Sequence, residues 1–144
     1  QHLFPAAIYG IDEVDLHVAI APRPLLATIE HYSPSFDAAA QAIHALGPRH
    51  VVVKGGHRVT DPIDVYFDGK RFAELRAERI STQHTHGTGC TFSAAITAFI
   101  ARGLSVDEAV VNAKHYITEA IRHAPGLGHG HGPVGHFWQW QQGQ

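Results

Sequence analysis

Methionine is absent from this chain, and cysteine occurs once, as Cys90. A single cysteine excludes an internal disulfide, so the cysteine content gives no sign of an oxidising compartment, and we expect a cytoplasmic protein. Because the chain begins at Gln1 and contains no Met, we also expect it to be a fragment or a processed product.

An excess of positive charge is lacking as well. The 11 Lys and Arg residues are outnumbered by 13 Asp and Glu residues, which gives a formal net charge of −2. Nucleic acids and membrane surfaces require a basic face, so neither is expected as a partner. No apolar run approaches the roughly 18 residues of a membrane-spanning helix, and no signal peptide is visible. The 144 residues, 44% of them hydrophobic, suffice for one domain with a core.

The first third of the chain mixes helix and strand patterns. We predict a strand at Leu16–Ala21, the start of a helix at Leu25–Ile29, and a helix that is capped by Ser35 and ends at Gly47-Pro48. The positions expected to be buried on this last helix are Ala39, Ile43 and Leu46.

The middle of the chain has the pattern of a sheet. The β-branched run His50–Lys54 predicts a buried strand. The segments Ile63–Phe67 and Arg71–Leu75 flank Asp68-Gly69, a strong hairpin signal, and Glu78–Thr82 is typical of one more short strand.

Two amphipathic helices follow. In the first, apolar residues recur at helical spacing over residues 92–100, and Gly103 ends the pattern. Ser105 and Glu108 have the spacing of a capping box at the start of the second helix. Its expected buried face comprises Val110, Ala113, Ile117 and Ile121. This order of elements predicts an α/β domain in which helices cover a sheet, with ligands bound at the carboxyl ends of the strands.

A glycine-rich turn, Gly87-Thr88-Gly89, lies directly before Cys90, where a helix pattern begins. The first N–H groups of a helix have no partner within the helix, and glycines let such groups approach an anion closely. One interpretation is an anion site in which Cys90 accepts a proton. The other is a tight loop with a buried structural cysteine, because cysteine often serves as a small core residue.

Two lysines and several histidines are further candidates. Lys54 ends the predicted Val-Val-Val strand, where it either extends to the sheet edge or binds a phosphate beside Gly55-Gly56. Lys114 lies next to the apolar stripe of its helix, so its amine can reach an edge of that element. His84 and His86 precede the glycine turn and either orient the site or are solvated. The later histidines His129, His131 and His136 lack cysteine or carboxylate partners at ligand spacing, so no metal site is predicted there.

Four segments match one known family in the correct order, within residues 35–137. They are Val51–His57, Thr82–Ile96, Ala113–Tyr116 and Gly130–Val134. In these segments the chain resembles the hydroxymethylpyrimidine/phosphomethylpyrimidine kinases of thiamine biosynthesis, which belong to the ribokinase-like superfamily. The extended motif around Cys90 is the most specific of the four.

The resemblance implies a three-layer α/β/α fold and a mechanism. ATP, with Mg²⁺, would phosphorylate 4-amino-5-hydroxymethyl-2-methylpyrimidine and then its monophosphate. Cys90 would be the general base. The anion hole for the transferring phosphoryl group would consist of Gly87, Thr88 and Gly89. The ATP side would be lined by Lys54, Thr85 and Lys114.

Two departures accompany the resemblance. The family's chain is considerably longer, and the N-terminal half that supplies much of the pyrimidine pocket is missing here. We therefore expect an incomplete copy, in which residues 35–137 match and residues 1–34 are irregular or rearranged. The family's Thr-Pro-Asn-x-x-Glu segment, associated with Mg²⁺ and phosphate, has its counterpart at Ala21–Leu26, without the Asn or the Glu. Because a sheet cut near its middle exposes an edge, we expect a homo-oligomer or another partner chain.

Three alternatives remain open at this stage. A pyridoxal kinase of the same superfamily would share these motifs, because the missing half selects the substrate. A non-catalytic half-domain that binds nucleotide without turnover would also account for the missing half and the absent Asn and Glu. A histidine-rich metal-binding protein is the weakest of the three.

Overall fold

The computed structural model describes residues 17–18, 26–30, 36–56 and 62–141. The chain divides into two compact units. The first comprises Gln1–Val59 and Ile63–Glu74, and the second comprises Thr60–Pro62 and Leu75–Gln144. The described strands form one sheet, of which nearly all belongs to the first unit, and two long helices lie in the second unit. The predicted α/β class is confirmed.

The sheet has the strand order β1-β2-β3-β4-β5. Its strands are β1 His17–Val18, β2 Leu26–Glu30, β3 His50–Lys54, β4 Asp64–Phe67 and β5 Phe72–Leu75. Strand β2 pairs antiparallel with β1 and parallel with β3, and β3 pairs antiparallel with β4. Parallel neighbours need a crossover, and helix α1, Phe36–His44, supplies it between β2 and β3.

Helix α1 packs its apolar face against β3 and β4. Ala40 is fully buried, and Phe36, Ala39 and Ile43 are nearly so. The core that they form with the sheet is completed by Val51, Val53, Val65 and Phe67. Leu46, predicted to be buried with them, lies beyond the end of α1 and is 48% exposed. That prediction is wrong, because the helical periodicity was extended through the turn that ends the helix.

The β4–β5 hairpin is confirmed. Its connection runs from Asp68 to Arg71, and Gly69 has φ of 89°, in the left-handed region that favours glycine. The Asp68 carboxylate accepts hydrogen bonds from the backbone N–H groups of Lys70 at 2.7 Å and Arg71 at 2.6 Å. These bonds, that of Arg71 above all, hold the pKa of Asp68 below its ordinary value.

Two predicted elements differ from the structure. The helix start predicted at Leu25–Ile29 is wrong for its described residues. Leu26–Ile29 belong to strand β2, which pairs in parallel with β3 over five residues, a contact that local propensity does not report. Glu78–Thr82 forms no strand, and its side chains are exposed or only half-buried. The Ser35 cap and most of the Ala21–Leu26 counterpart lie outside the described residues.

The second unit is built on α2, Thr88–Ala101, and α3, Val106–Arg122, which pack against each other. Their most deeply buried side chains are Phe92, Ile96, Val110 and Ala113. A short helix α4, Trp138–Gln141, follows near the end of the chain. Of the helices in the described segments, none is long and apolar enough to cross a membrane.

The predicted capping box at the start of α3 is present. The Ser105 hydroxyl accepts from the Glu108 N–H, and the Glu108 carboxylate accepts from the Ser105 N–H at 2.9 Å and from its hydroxyl at 2.6 Å. These bonds, led by the one from the hydroxyl, hold the pKa of Glu108 below its ordinary value of 4.5.

We expect Ser105→Ala to lower the free energy of unfolding by about 1 kcal/mol, because the first turn of α3 loses its cap. Ser105→Gly is the matched control and costs only a few tenths of that. Urea denaturation followed by circular dichroism measures both variants. Equal losses for alanine and glycine would contradict the assigned cap.

The capping box also has a pH dependence with a defined sign. Because the pKa of Glu108 is lowered in the fold, its carboxylate stabilises the protein above its ordinary pKa of 4.5. That contribution disappears as the pH falls through the lower folded value. The stability difference between Glu108→Gln and the parent chain should therefore be present at pH 7 and shrink progressively below pH 4.5.

A third expectation concerns Gly55, which follows β3. A Cβ at this position would collide with the carbonyl oxygen of Ile63 and lie 3.2 Å from the Phe36 ring. We expect Gly55→Ala to cost about 1–3 kcal/mol of stability through overpacking. Gly56→Ala is the control, because a Cβ there meets no heavy atom within 4 Å. A shift of the urea midpoint in both variants alike would count against this explanation.

Candidate functional site

The glycine turn lies where α2 begins. Gly87 is the N-cap residue, with φ of 81° and ψ of 7°, a left-handed conformation that glycine adopts without strain. Because glycine has no side chain, the cap residue offers no hydroxyl or carboxylate to the first N–H groups of the helix. Such a helix start favours an anion, through its N–H groups and its dipole.

Two threonines close this turn. The Thr88 hydroxyl donates to the carbonyl oxygen of Thr85 at 2.5 Å, and the Thr88 N–H donates to the same oxygen at 3.3 Å. The Thr85 N–H in turn donates to the Gln83 carbonyl at 3.0 Å. The segment that leads into α2 is therefore folded on itself, and the predicted anion-hole residues lie together at one helix end.

Cys90 lies in the first turn of α2, and its side chain is exposed. The interpretation of Cys90 as a buried structural residue is therefore wrong. Cys90 and Gly87 line a groove of about 620 Å³ in the second unit. One face of α2 forms most of its wall, together with Tyr116 of α3 and with His136 and Gln139 near the chain end. A small molecule in this groove would have access to the thiol.

A segment from the end of the chain braces the approach to the turn. His86 forms an isolated parallel bridge with Pro133, and its N–H donates to the Gly132 carbonyl at 3.1 Å. His131 donates from Nδ1 to the Gln83 carbonyl at 3.0 Å. The spacing of residues did not reveal these contacts, although Gly130–Val134 is one of the four segments that carry the family resemblance.

Lys114 lies on α3 and is buried, with 9% exposure. Its amine donates to the carbonyl oxygen of Pro62 at 3.0 Å. The side chain therefore extends from the helix to another segment of the second unit.

Lys54 belongs to the first unit, where it ends β3. Its side chain is only 7% exposed, so it does not extend into solvent at the sheet edge. The amine lies 3.7 Å from the carboxylate of Asp64, which is itself 1% exposed. Asp64 also accepts from the Gly55 N–H at 2.9 Å. No local pattern around Asp64 indicated a role for this carboxylate, which begins an otherwise apolar strand.

Contacts of the histidines near the end of the chain are with protein groups: His131 bonds to the Gln83 carbonyl, and the backbone of His136 bonds to α3. Tyr116 donates from its hydroxyl to the carbonyl of His136 at 2.7 Å. Across the described ranges, no group of three or more His, Cys, Asp or Glu side chains is arranged to hold a metal ion.

The class of protein follows from the structural comparison. A Bacillus subtilis pyridoxal kinase, solved as an ADP complex, superposes with a TM-score of 0.69 and 43% identity, over 73% of this chain and 40% of that one. The fold is therefore that of the ribokinase-like kinases, as the sequence resemblance implied.

The family is shown by the sequence. The family model described as phosphomethylpyrimidine kinase matches residues 24–135, more than half of the chain, and the chain belongs to this family. The thiamine biosynthesis bifunctional protein ThiED of Geobacter sulfurreducens is 50% identical over 100 residues, 69% of this chain and 20% of that protein. The hydroxymethylpyrimidine/phosphomethylpyrimidine kinase of Synechococcus elongatus is 47% identical over 104 residues, 71% of this chain and 40% of that protein. The chain thus spans less than half the length of either relative.

We expect Asp64→Asn to lower the free energy of unfolding by about 3 kcal/mol, because the buried Lys54 amine loses the charge beside it. The same substitution in a Lys54→Met background should cost clearly less, since no buried ammonium is then left beside an amide. A double-mutant cycle by urea denaturation measures the coupling. Additive losses would show that the two charges do not stabilise each other.

Proposed function

We propose that the protein carrying this chain is an ATP-dependent kinase of hydroxymethylpyrimidine and of its monophosphate. This chain contributes the turn that holds the transferred phosphoryl group and the base that accepts the substrate's proton. The observation that carries the proposal is the exposed Cys90 thiol in the first turn of α2, beside the left-handed Gly87 and on the wall of a groove of about 620 Å³.

The glycine turn can stabilise the negative charge on the phosphoryl group during its transfer. Such reactions depend mainly on positioning and on charge neutralisation. The N–H groups at the start of α2 and the positive end of the helix dipole supply fixed partial charges. Gly87, Thr88 and Gly89 are the proposed anion hole, and the Thr88–Thr85 bonds keep it folded before ligand binds.

Cys90 is the proposed general base. As the hydroxymethyl oxygen of the substrate attacks the γ-phosphorus, the new P–O bond forms and the bond to the ADP oxygen breaks. The hydroxyl proton passes to the Cys90 thiolate, which then releases it to solvent. A base at this position must reach the groove, and the exposure of Cys90 meets that requirement.

Lys54, Thr85 and Lys114 are the proposed residues of the ATP side. The two lysines supply positive charge for phosphate oxygens. The Lys54 amine lies beside the Asp64 carboxylate and the Lys114 amine donates to the Pro62 carbonyl, so a bound phosphate would share or replace these partners. Thr85 is exposed directly before the anion hole, with its carbonyl oxygen engaged by Thr88.

Mg²⁺ is expected to accompany ATP, since it binds phosphates together with one or two carboxylates. In the described residues no cluster of three candidate ligands occurs, and Asp64, a buried carboxylate, is engaged by Lys54 and Gly55. The residues present do not form a dedicated metal cage, and we assign no metal ligand in this chain.

Pyridoxal is the second candidate substrate, favoured by the 43% identity to a pyridoxal kinase of known structure. Pyridoxal and hydroxymethylpyrimidine both carry a hydroxymethyl group on a nitrogen heteroaromatic ring, so Cys90 could serve either. Comparing kcat/KM for the two substrates separates the candidates. A nucleotide-binding half-domain without catalysis would bind an ATP analogue and turn over neither.

A cytoplasmic location and a homo-oligomer remain predictions about the same protein. Sedimentation velocity across a range of protein concentrations measures the oligomeric state. A single monomeric species throughout would contradict the predicted oligomer.

We expect Cys90→Ala to lower kcat by about 10²–10⁴-fold, because the substrate hydroxyl loses its proton acceptor. Cys90→Asp should retain more activity than Cys90→Ala, since a carboxylate also accepts protons. Thr97→Ala, at an exposed position of the same helix, is the control and should leave kcat unchanged. The assay is ATP-dependent phosphorylation of hydroxymethylpyrimidine by the protein in its natural length. Turnover by Cys90→Ala within twofold of the parent would refute the assigned base.

A further inference from the structure

His84 makes a specific contact with the segment near the end of the chain. The Gly132 N–H donates to Nδ1 of His84 at 3.2 Å, across 48 residues of sequence. Because Nδ1 accepts this bond, the neutral ring carries its proton on Nε2. Any side chain without an acceptor at this position would leave the Gly132 N–H without its bond to residue 84.

Two glycines, Gly126 and Gly132, lie close to the ring of His84. A Cβ at Gly132 would collide with Nδ1 of His84 and lie 3.1 Å from the Leu127 carbonyl oxygen. A Cβ at Gly126 would lie 3.9 Å from Nε2 of the same ring. The close approach at Gly132 is therefore possible only without a side chain, whereas Gly130, two residues earlier, has open space around its Cβ position.

Gly132 forms hydrogen bonds with both sequence neighbours of Thr85. Its N–H donates to the ring of His84, and its carbonyl accepts from the His86 N–H at 3.1 Å. The residue between them, Thr85, presents the carbonyl oxygen that receives both donors of Thr88. These hydrogen bonds, together with the backbone of residues 84–86, thus join Gly132 to the first turn of α2.

The segment that carries Gly132 is itself fixed to α3. The Gly135 N–H donates to the Ala120 carbonyl at 2.7 Å, and the Tyr116 hydroxyl donates to the His136 carbonyl. Val134, directly before Gly135, is 2% exposed. The contact of Gly132 with His84 therefore connects the approach to the glycine turn with helix α3.

We propose that His84 is a positioning residue for phosphoryl transfer. Its Nδ1 atom, held by Gly132, sets the orientation of Thr85 and Gly87 and so the direction of the N–H groups at the start of α2. This inference rests on the proposed kinase function. His84 makes no contact with the reacting atoms in this arrangement and acts through the turn.

The test uses four variants of the protein in its natural length. His84→Ala removes the acceptor and Gly132→Ala displaces the ring, so both should lower kcat by about 10–100-fold, as small misplacements of a reacting group do. His84→Asn places an oxygen near the position of Nδ1 and should recover most of the activity. Gly130→Ala is the matched glycine control and should behave as the parent.

A merely structural role would not produce the same pattern. We expect the KM for hydroxymethylpyrimidine to change less than kcat, and the melting temperature of His84→Ala to stay close to that of His84→Asn. Hydrogen exchange of residues 84–90, measured by mass spectrometry, should be about tenfold faster in His84→Ala and unchanged in His84→Asn.

The possible outcomes separate the two proposals. If the parent protein turns over and His84→Ala retains its kcat, the positioning role is overturned while the kinase function stands. If the parent protein phosphorylates neither candidate substrate, the proposed function fails. In that case, faster exchange confined to residues 84–90 still supports the role of His84 in ordering the turn, and unchanged exchange overturns it.

Discussion

The carbonyl oxygen of Thr85 is the point on which the candidate site depends. It receives the hydroxyl and the N–H of Thr88, and these two bonds bring the chain round so that Gly87 can enter the left-handed conformation before α2. Without this closure, the segment before α2 would lose the bonds that hold it against the first turn of the helix. The position of Cys90 in the first turn follows from the same closure, because the helix fixes the thiol relative to its own axis.

The first unit depends on a different constraint, the parallel pairing of β2 with β3. This pairing places β3 inside the sheet, where all three of its valines are fully buried. A lysine at the end of such a strand is then removed from water as well, and the burial of Lys54 beside Asp64 is the result. Burial of an ammonium is costly without a nearby carboxylate, which explains why an acidic residue begins β4.

The elements that could be predicted are those with local signals. The valine run of β3, the Asp68-Gly69 turn and the Ser105–Glu108 capping box are each determined by residues within a few positions of one another. The strand β2 was missed because its evidence lies in its partner, more than 20 residues away.

The residues of the candidate site fall into the same two groups, those with a local sequence signal and those without one. The glycine turn and Cys90 could be located from adjacent residues, because their chemistry depends on a single helix start. The carboxylate beside Lys54 and the ring contact between His84 and Gly132 could not, since each joins distant segments. In both cases the informative feature was a residue type without a local explanation, an aspartate in an apolar strand and a glycine in a histidine-rich tail.

The contacts of Gly132 also bear on how short a segment can carry the candidate site. The glycine turn lies at residues 87–89, yet the bonds that brace its approach come from residues 131–133 and are anchored at Gly135 and His136. A boundary drawn directly after α3 would separate the turn from its support. The smallest unit that can carry this candidate site therefore extends through residues 131–136 of the glycine- and histidine-rich segment.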